Sequence, residues 1–162
     1  MMWNAFSLWT IGCTALAAIA VGAAGGILTE TGPWYHSLRK PSWKPPDWAF
    51  GPVWTVILVL AAISAALAWE AAPDPAAQTW VFLVLLVNSI LNIAWSGFFF
   101  KLRRPDWALV EVGFLWLSIV ALIAVLGHYS STAGLLMVPY LVWVSIASFL
   151  TYRIVQMNRP FA

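Results

Sequence analysis

Five apolar stretches, each about as long as a bilayer is thick, constrain this chain more than anything else in it. They run over about Ala5–Leu28, Pro52–Glu70, Gln78–Phe100, Trp107–Gly127 and Gly134–Val155. A hydrocarbon core takes about 20 apolar residues in a helix. The helix spans it because it satisfies its own backbone N–H and C=O groups without water. Composition agrees, with 62% hydrophobic and 9% charged residues. The expected fold class is all-α and integral to the membrane. It is a five-transmembrane-helix bundle forming a single domain over residues 1–162.

The connections fit that count. Residues 71–77 hold the breakers Pro73, Asp74 and Pro75, residues 101–106 form a basic turn ending at Pro105, and residues 128–133 are short and polar. Pro52 falls in the first turn of the second helix, where a missing N–H costs nothing. Pro139 falls one turn into the fifth, where it predicts a kink. The first stretch lacks a positive n-region and exceeds the length of a signal-peptide core, so it reads as a retained helix.

Charge placement orients the bundle. All eight Lys and Arg residues (Arg39, Lys40, Lys44, Lys101, Arg103, Arg104, Arg153, Arg159) fall in the first connection, the third connection or the C-terminal end. Five spans put those three on one side, and removing a span would split them. The positive-inside rule then sets the N-terminus outside and the C-terminus in the cytoplasm. A net charge of +2, sparsely spread, excludes a nucleic-acid footprint. Cys13 is the single cysteine and forms no internal disulfide.

The first connection, residues 30–51, interleaves Pro41, Pro45, Pro46 and Pro52 with Trp43, Trp48 and Trp54. Proline lowers the entropy lost on ordering, so a stiff, ordered lid is one reading. A plain interfacial loop is the other. Twelve tryptophans are more than interfacial belts require. Trp3, Trp9, Trp69, Trp80 and Trp107 sit near the ends of apolar runs, as belts demand. Trp116 and Trp143 sit mid-run, and Trp34, Trp43, Trp48 and Trp54 crowd the first connection. That surplus points to an aromatic-lined cavity for a flat, apolar ligand.

Polar groups at membrane depth narrow the site. Asn88, Asn92, Trp95 and Phe99 share one face of the third helix. The two amides are either a polar handle in a pocket or interhelical glue. Tyr140, Trp143, Ala147 and Thr151 share a face of the fifth helix, as bundle core or pocket wall. Trp54, Leu58 and Ala61 share a face of the second. Glu111 lies a turn from the basic third connection, so snorkelling to Lys101, Arg103 or Arg104 is expected. Gly22 and Gly26 form a short GxxxG pair that permits close backbone approach. His36 and His128 fall on opposite sides and cannot share a metal. The sequence holds no phosphate loop or Ser-His-acid set. Leu150, Tyr152 and Arg159 narrowly miss a sterol-type pattern.

The run from Trp34 to Trp54, WYHSLRKPSWKPPDWAFGPVW, resembles the first-loop signature of the tryptophan-rich sensory protein / translocator protein family, also known as the peripheral benzodiazepine receptor family. NSILNIAWSGFFF from Asn88 and VPYLVWVSIAS from Val138 are similar to its third- and fifth-helix patterns. The resemblance implies a five-helix bundle whose pocket opens toward the first loop and binds porphyrins such as protoporphyrin IX. It also implies binding of benzodiazepine-type ligands and, in mitochondrial members, cholesterol.

Carried over by motif, the ligand-binding residues are Tyr35, Trp43, Trp54, Asn92, Trp95, Trp143 and Ala147. Arg39, Lys40 and Lys44 stand ready for propionates. Trp54 and Trp143 match tryptophans tied to light-dependent porphyrin breakdown in some bacterial members, and would be the catalytic pair if that reaction occurs here. No cofactor is implied beyond porphyrin as ligand. The implied partners are the bilayer and a second copy in a homodimer, and the implied location is a bacterial cell membrane. The function so implied is a membrane receptor for porphyrins, with a porphyrin-degrading enzyme and a porphyrin or sterol translocator as alternatives.

Overall fold

A computed structural model describes residues 7–161; Trp3 and the predicted helix start at Ala5 lie outside them. The first crossing is α1 (Leu8–Leu28), and a short helix α2 (Pro33–Ser37) lies in the first connection. The second crossing is α3 (Asp47–Ala71). The third is α4 (Pro75–Ser96), prolonged by a π-helical turn, Gly97–Lys101. The fourth is α5 (Pro105–Tyr129), and the fifth is α6 (Ser131–Leu136) joined through Met137 to α7 (Val138–Asn158). All five crossings are long and apolar enough to span a membrane. The all-helical five-span fold read from the sequence is the one observed.

Local chemistry sets the helix starts. Ser7 Oγ accepts from Thr10 N at 3.0 Å, Asp74 Oδ1 from Ala77 N at 2.8 Å and Ser130 Oγ from Ala133 N at 3.3 Å. Each satisfies one of the orphan N–H groups of a first turn. Pro75 and Pro105 occupy first-turn positions, where no hydrogen bond is lost.

Three boundaries differ from expectation. The helix predicted from Pro52 begins at Asp47, so Pro52 lies inside α3. The proline removes the bond to the Trp48 carbonyl, a cost reduced because Trp48 is exposed near the helix end. The kink predicted at Pro139 is absent because the chain breaks earlier. Met137 ends α6, which puts Pro139 in the first turn of α7, where it interrupts nothing. The connection predicted over residues 128–133 shrinks to Ser130. Glycine makes this tight return possible: a Cβ on Gly134 would lie 2.8 Å from Gly127 Cα and 3.0 Å from Ile123 O.

α5 is the central element and packs on α4, α6 and α7. Its buried face runs Ala108, Glu111, Val112, Leu115, Ile119, Leu122 and Leu126, a 3–4 residue stripe. α1 is peripheral, with Thr10 its buried residue, and packs chiefly on α3. Large apolar side chains such as Trp9, Ile19, Phe82 and Phe114 point outward, as they must where hydrocarbon is the solvent. Gly22 meets the close-approach expectation: a Cβ there would lie 2.8 Å from Leu58 Cδ1. Gly26 does not, since open space surrounds its Cβ position.

Candidate functional site

A cavity of about 530 Å³ lies between α1, the first connection, α3, α4, α5 and α7. Its wall includes Tyr35, Trp54, Asn92, Trp95, Trp143 and Ala147, six of the seven residues expected to meet ligand. Trp43 is not in it. The Pro41–Lys44 turn, closed by Lys44 N to Pro41 O at 3.1 Å, faces Trp43 outward. There the indole stacks on Phe149 of α7 at 5.4 Å and stays 44% exposed.

The α4 stripe enters the cavity in a shifted register. Asn92 and Trp95 line it, followed by Ser96 and Phe100, while the expected Phe99 stacks behind Trp95 at 5.1 Å. The π-turn supplies the reason. Extending each hydrogen-bonded loop by one residue rotates the following side chains, so Phe100 takes the face that a regular helix gives Phe99. Phe50, Asp47 and Ser96 are further wall residues that sequence reasoning did not select. Ser96 lies four residues beyond Asn92, and that spacing was the available signal.

The two asparagines divide the alternatives left open by the sequence. Asn88 is buried away from the cavity; it donates to Ser118 Oγ at 2.9 Å and accepts from Tyr140 Oη at 3.2 Å. It is interhelical glue. Asn92 does both jobs, donating to Tyr140 Oη at 2.8 Å while facing the cavity. Tyr140 thus ties α7 to α4 at two points, and its ring meets Trp54 edge-on at 5.9 Å.

Among the described residues, four buried side-chain polar atoms lack a hydrogen-bond partner: Trp95 Nε1, Trp143 Nε1 and both Glu111 oxygens. Buried polar atoms are ordinarily paired, and an unpaired one in hydrocarbon is costly. The two indole N–H groups belong to cavity-lining residues. A bound molecule with acceptor atoms would satisfy them. Glu111 does not snorkel as expected and is only 7% exposed. Two neighbouring cations are already engaged, Lys101 with Glu30 at 2.8 Å and Arg104 with Asp106 at 2.5 Å. Arg103 stands over the Trp34 ring at 6.0 Å. Glu111 also falls on the inner stripe of α5, beside the cavity residues Val112 and Leu115. Trp116, mid-run like Trp143, lies on an outer face instead, where its Nε1 donates to Ser145 Oγ at 2.9 Å.

The first connection is an ordered lid, as one reading of its prolines held. Tyr35 Oη donates to Asp47 Oδ1 at 2.9 Å, and Lys44 Nζ pairs with the same oxygen at 2.6 Å. Lys40 Nζ lies 4.3 Å from the Tyr35 ring centroid and donates to the Tyr35 and Leu38 carbonyls. Burial, with the neighbouring Asp47 carboxylate, raises the Tyr35 phenol above its ordinary range, so it stays a donor. Burial pushes the Lys40 ammonium down. Asn158 of α7 brackets Arg39, accepting from its N–H and donating to its C=O, both at 2.8 Å. Through these contacts the lid, the third connection and the end of α7 share one end of the bundle, so the eight cations do too.

Residues 13–157 match the sequence profile of the TspO/MBR family. A tryptophan-rich protein TspO of Chlorobaculum tepidum is 37% identical over 142 residues, covering 86% of this chain and 90% of that one. A tryptophan-rich sensory protein of Cereibacter sphaeroides is 31% identical over 156 residues, covering 95% and 96%. A translocator protein of Bos taurus is 34% identical over 128 residues, covering 78% and 75%.

Proposed function

The chain belongs to the TspO/MBR family, and from that premise we propose that it is a membrane receptor for porphyrins, with protoporphyrin IX as the representative ligand. The observation that carries this reading is the pair of unpartnered indole N–H groups, Trp95 Nε1 and Trp143 Nε1, in an aromatic cavity at membrane depth. A flat macrocycle stacks on such walls, and its carboxylate oxygens accept from such donors. The cavity volume of about 530 Å³ falls within the roughly 300–1,000 Å³ of small-molecule sites. The lid cations support an orientation with the lid and C-terminus cytoplasmic and the N-terminus outside. The relatives support a bacterial cell membrane as the location, and a homodimer is the oligomer proposed.

A second reading is enzymatic. Trp54 and Trp143 both line the cavity, within reach of a photoexcited ligand. Electron transfer from an indole to the excited porphyrin would leave a tryptophan radical, with dioxygen as the terminal oxidant.

The test is an absorbance titration of purified protein with protoporphyrin IX in the dark, followed by illumination in air. A saturable Soret shift that survives light supports the receptor. A saturable shift followed by bleaching that needs Trp143 supports the enzyme. A shift that never saturates refutes both.

A further inference from the structure

A second concavity, an open groove of about 700 Å³, runs along the outside of the bundle between α1 and α3. It shares three wall residues with the central cavity: Gly22, Thr55 and Leu58. The two spaces therefore meet at one constriction. Leu58 fills it by lying where a side chain on residue 22 would be, its Cδ1 2.8 Å from that Cβ position. Only glycine at position 22 lets Leu58 lie there.

The groove wall is apolar throughout. Its two hydroxyls are turned back onto their own helices, Thr14 Oγ1 to Thr10 O at 3.0 Å and Thr55 Oγ1 to Gly51 O at 2.9 Å. It lies on membrane-spanning helices, so the medium against it is bilayer hydrocarbon. The lid end of the cavity is different. It is held by the Tyr35–Asp47, Lys44–Asp47 and Arg39–Asn158 contacts. Displacing Leu58 needs one rotamer change, whereas opening the lid breaks several hydrogen bonds.

We propose that the α1–α3 groove is a lateral entrance through which a flat apolar ligand dissolved in the bilayer reaches the cavity, with Leu58 on Gly22 as its gate. The inference rests on the ligand-binding reading above. It assigns the groove to ligand in transit rather than to a second copy of the chain.

The test uses full-length protein in lipid nanodiscs and protoporphyrin IX as probe, with Ala18→Phe and Ala62→Phe combined to fill the groove outside the cavity. We expect association and dissociation rate constants to fall together by roughly tenfold, with Kd within about twofold of wild type. Leu58→Ala should speed both. Unchanged rates in the filled variant overturn the entrance. So does a dimer formed through this face that the filling breaks while leaving the rates unaltered.

A second measurement separates failure of the entrance from failure of the porphyrin reading. Quenching of Trp95 by brominated acyl chains is taken as the difference between each protein and its Trp95→Phe partner. Filling the groove should reduce this quenching even if no porphyrin binds. Quenching that the filling leaves intact overturns the entrance.

Discussion

Asn92 Nδ2 donates to Tyr140 Oη across 2.8 Å, and the same hydroxyl donates to Asn88 Oδ1 at 3.2 Å. One phenol thus holds α4 against α7 and fixes how Asn92 faces the cavity. Tyr140→Phe removes the shared partner of both amides. Interhelical hydrogen bonds in membranes contribute about 0.6 kcal/mol each on average and up to about 2 kcal/mol, so the loss should be about 1–2 kcal/mol. Reversible unfolding in mixed micelles would measure it. Ligand affinity should fall as well, because Asn92 loses its fixed orientation; unchanged stability and affinity together would contradict this role.

Glu111 is a buried carboxylate with both oxygens unpartnered. An unpaired polar group in such a setting destabilises the fold. Glu111→Leu should therefore raise stability, by about 1–3 kcal/mol on the pattern of apolar replacements for buried charge. The thermal midpoint in detergent reads this directly. A lowered midpoint would mean that the carboxylate has a stabilising partner.

The lid contains one bond that trypsin can cut, Arg39–Lys40, since Lys40 and Lys44 both precede proline. Asn158 holds the Arg39 backbone at both its N–H and its C=O. Asn158→Ala removes two hydrogen bonds worth about 1 kcal/mol each. Cleavage at this bond should accelerate by roughly tenfold or more, in line with the added opening. An unchanged cleavage rate would show the lid to be held elsewhere.

Tyr35 gives the lid a pH dependence. Its phenol is raised above the ordinary value by burial and by the Asp47 carboxylate. A group raised in the folded state contributes fully below its unfolded pKa, about 10 for tyrosine, and loses that contribution as pH rises beyond it. Tyr35→Phe should melt below wild type by a constant margin from about pH 7 to about pH 9, a margin that shrinks above about pH 10. A margin that persists at alkaline pH would refute the phenol's role. Lys40 is present in both proteins and drops out of the comparison.

Much of this was legible because a 3.6-residue period marks one face of a helix. Asn92 with Trp95, and Trp143 with Ala147, converge on the cavity as that period implies. What was missed depends on three-dimensional partners. Phe100 replaces Phe99 because a π-turn changes the register, and the period carries no sign of the inserted residue. Glu111 is close in sequence to three cations but sits on the inner stripe of α5, while Lys101 and Arg104 pair with other carboxylates. Trp43 follows the direction of a proline turn rather than a helical face. The Gly127–Gly134 contact, which shortens the last connection, appears only once two helices meet.

The central claim is that Trp95 and Trp143 present their N–H groups to a porphyrin in this cavity. Its most direct test is a tryptophan-fluorescence titration with protoporphyrin IX in the dark, comparing wild type with the Trp95→Phe, Trp143→Phe double variant. Phenylalanine keeps an aromatic wall and removes both donors. The account predicts saturable quenching in wild type and a Kd raised by roughly tenfold or more in the variant, from two lost hydrogen bonds. Saturable quenching with the same Kd in both proteins would contradict it and place the ligand elsewhere.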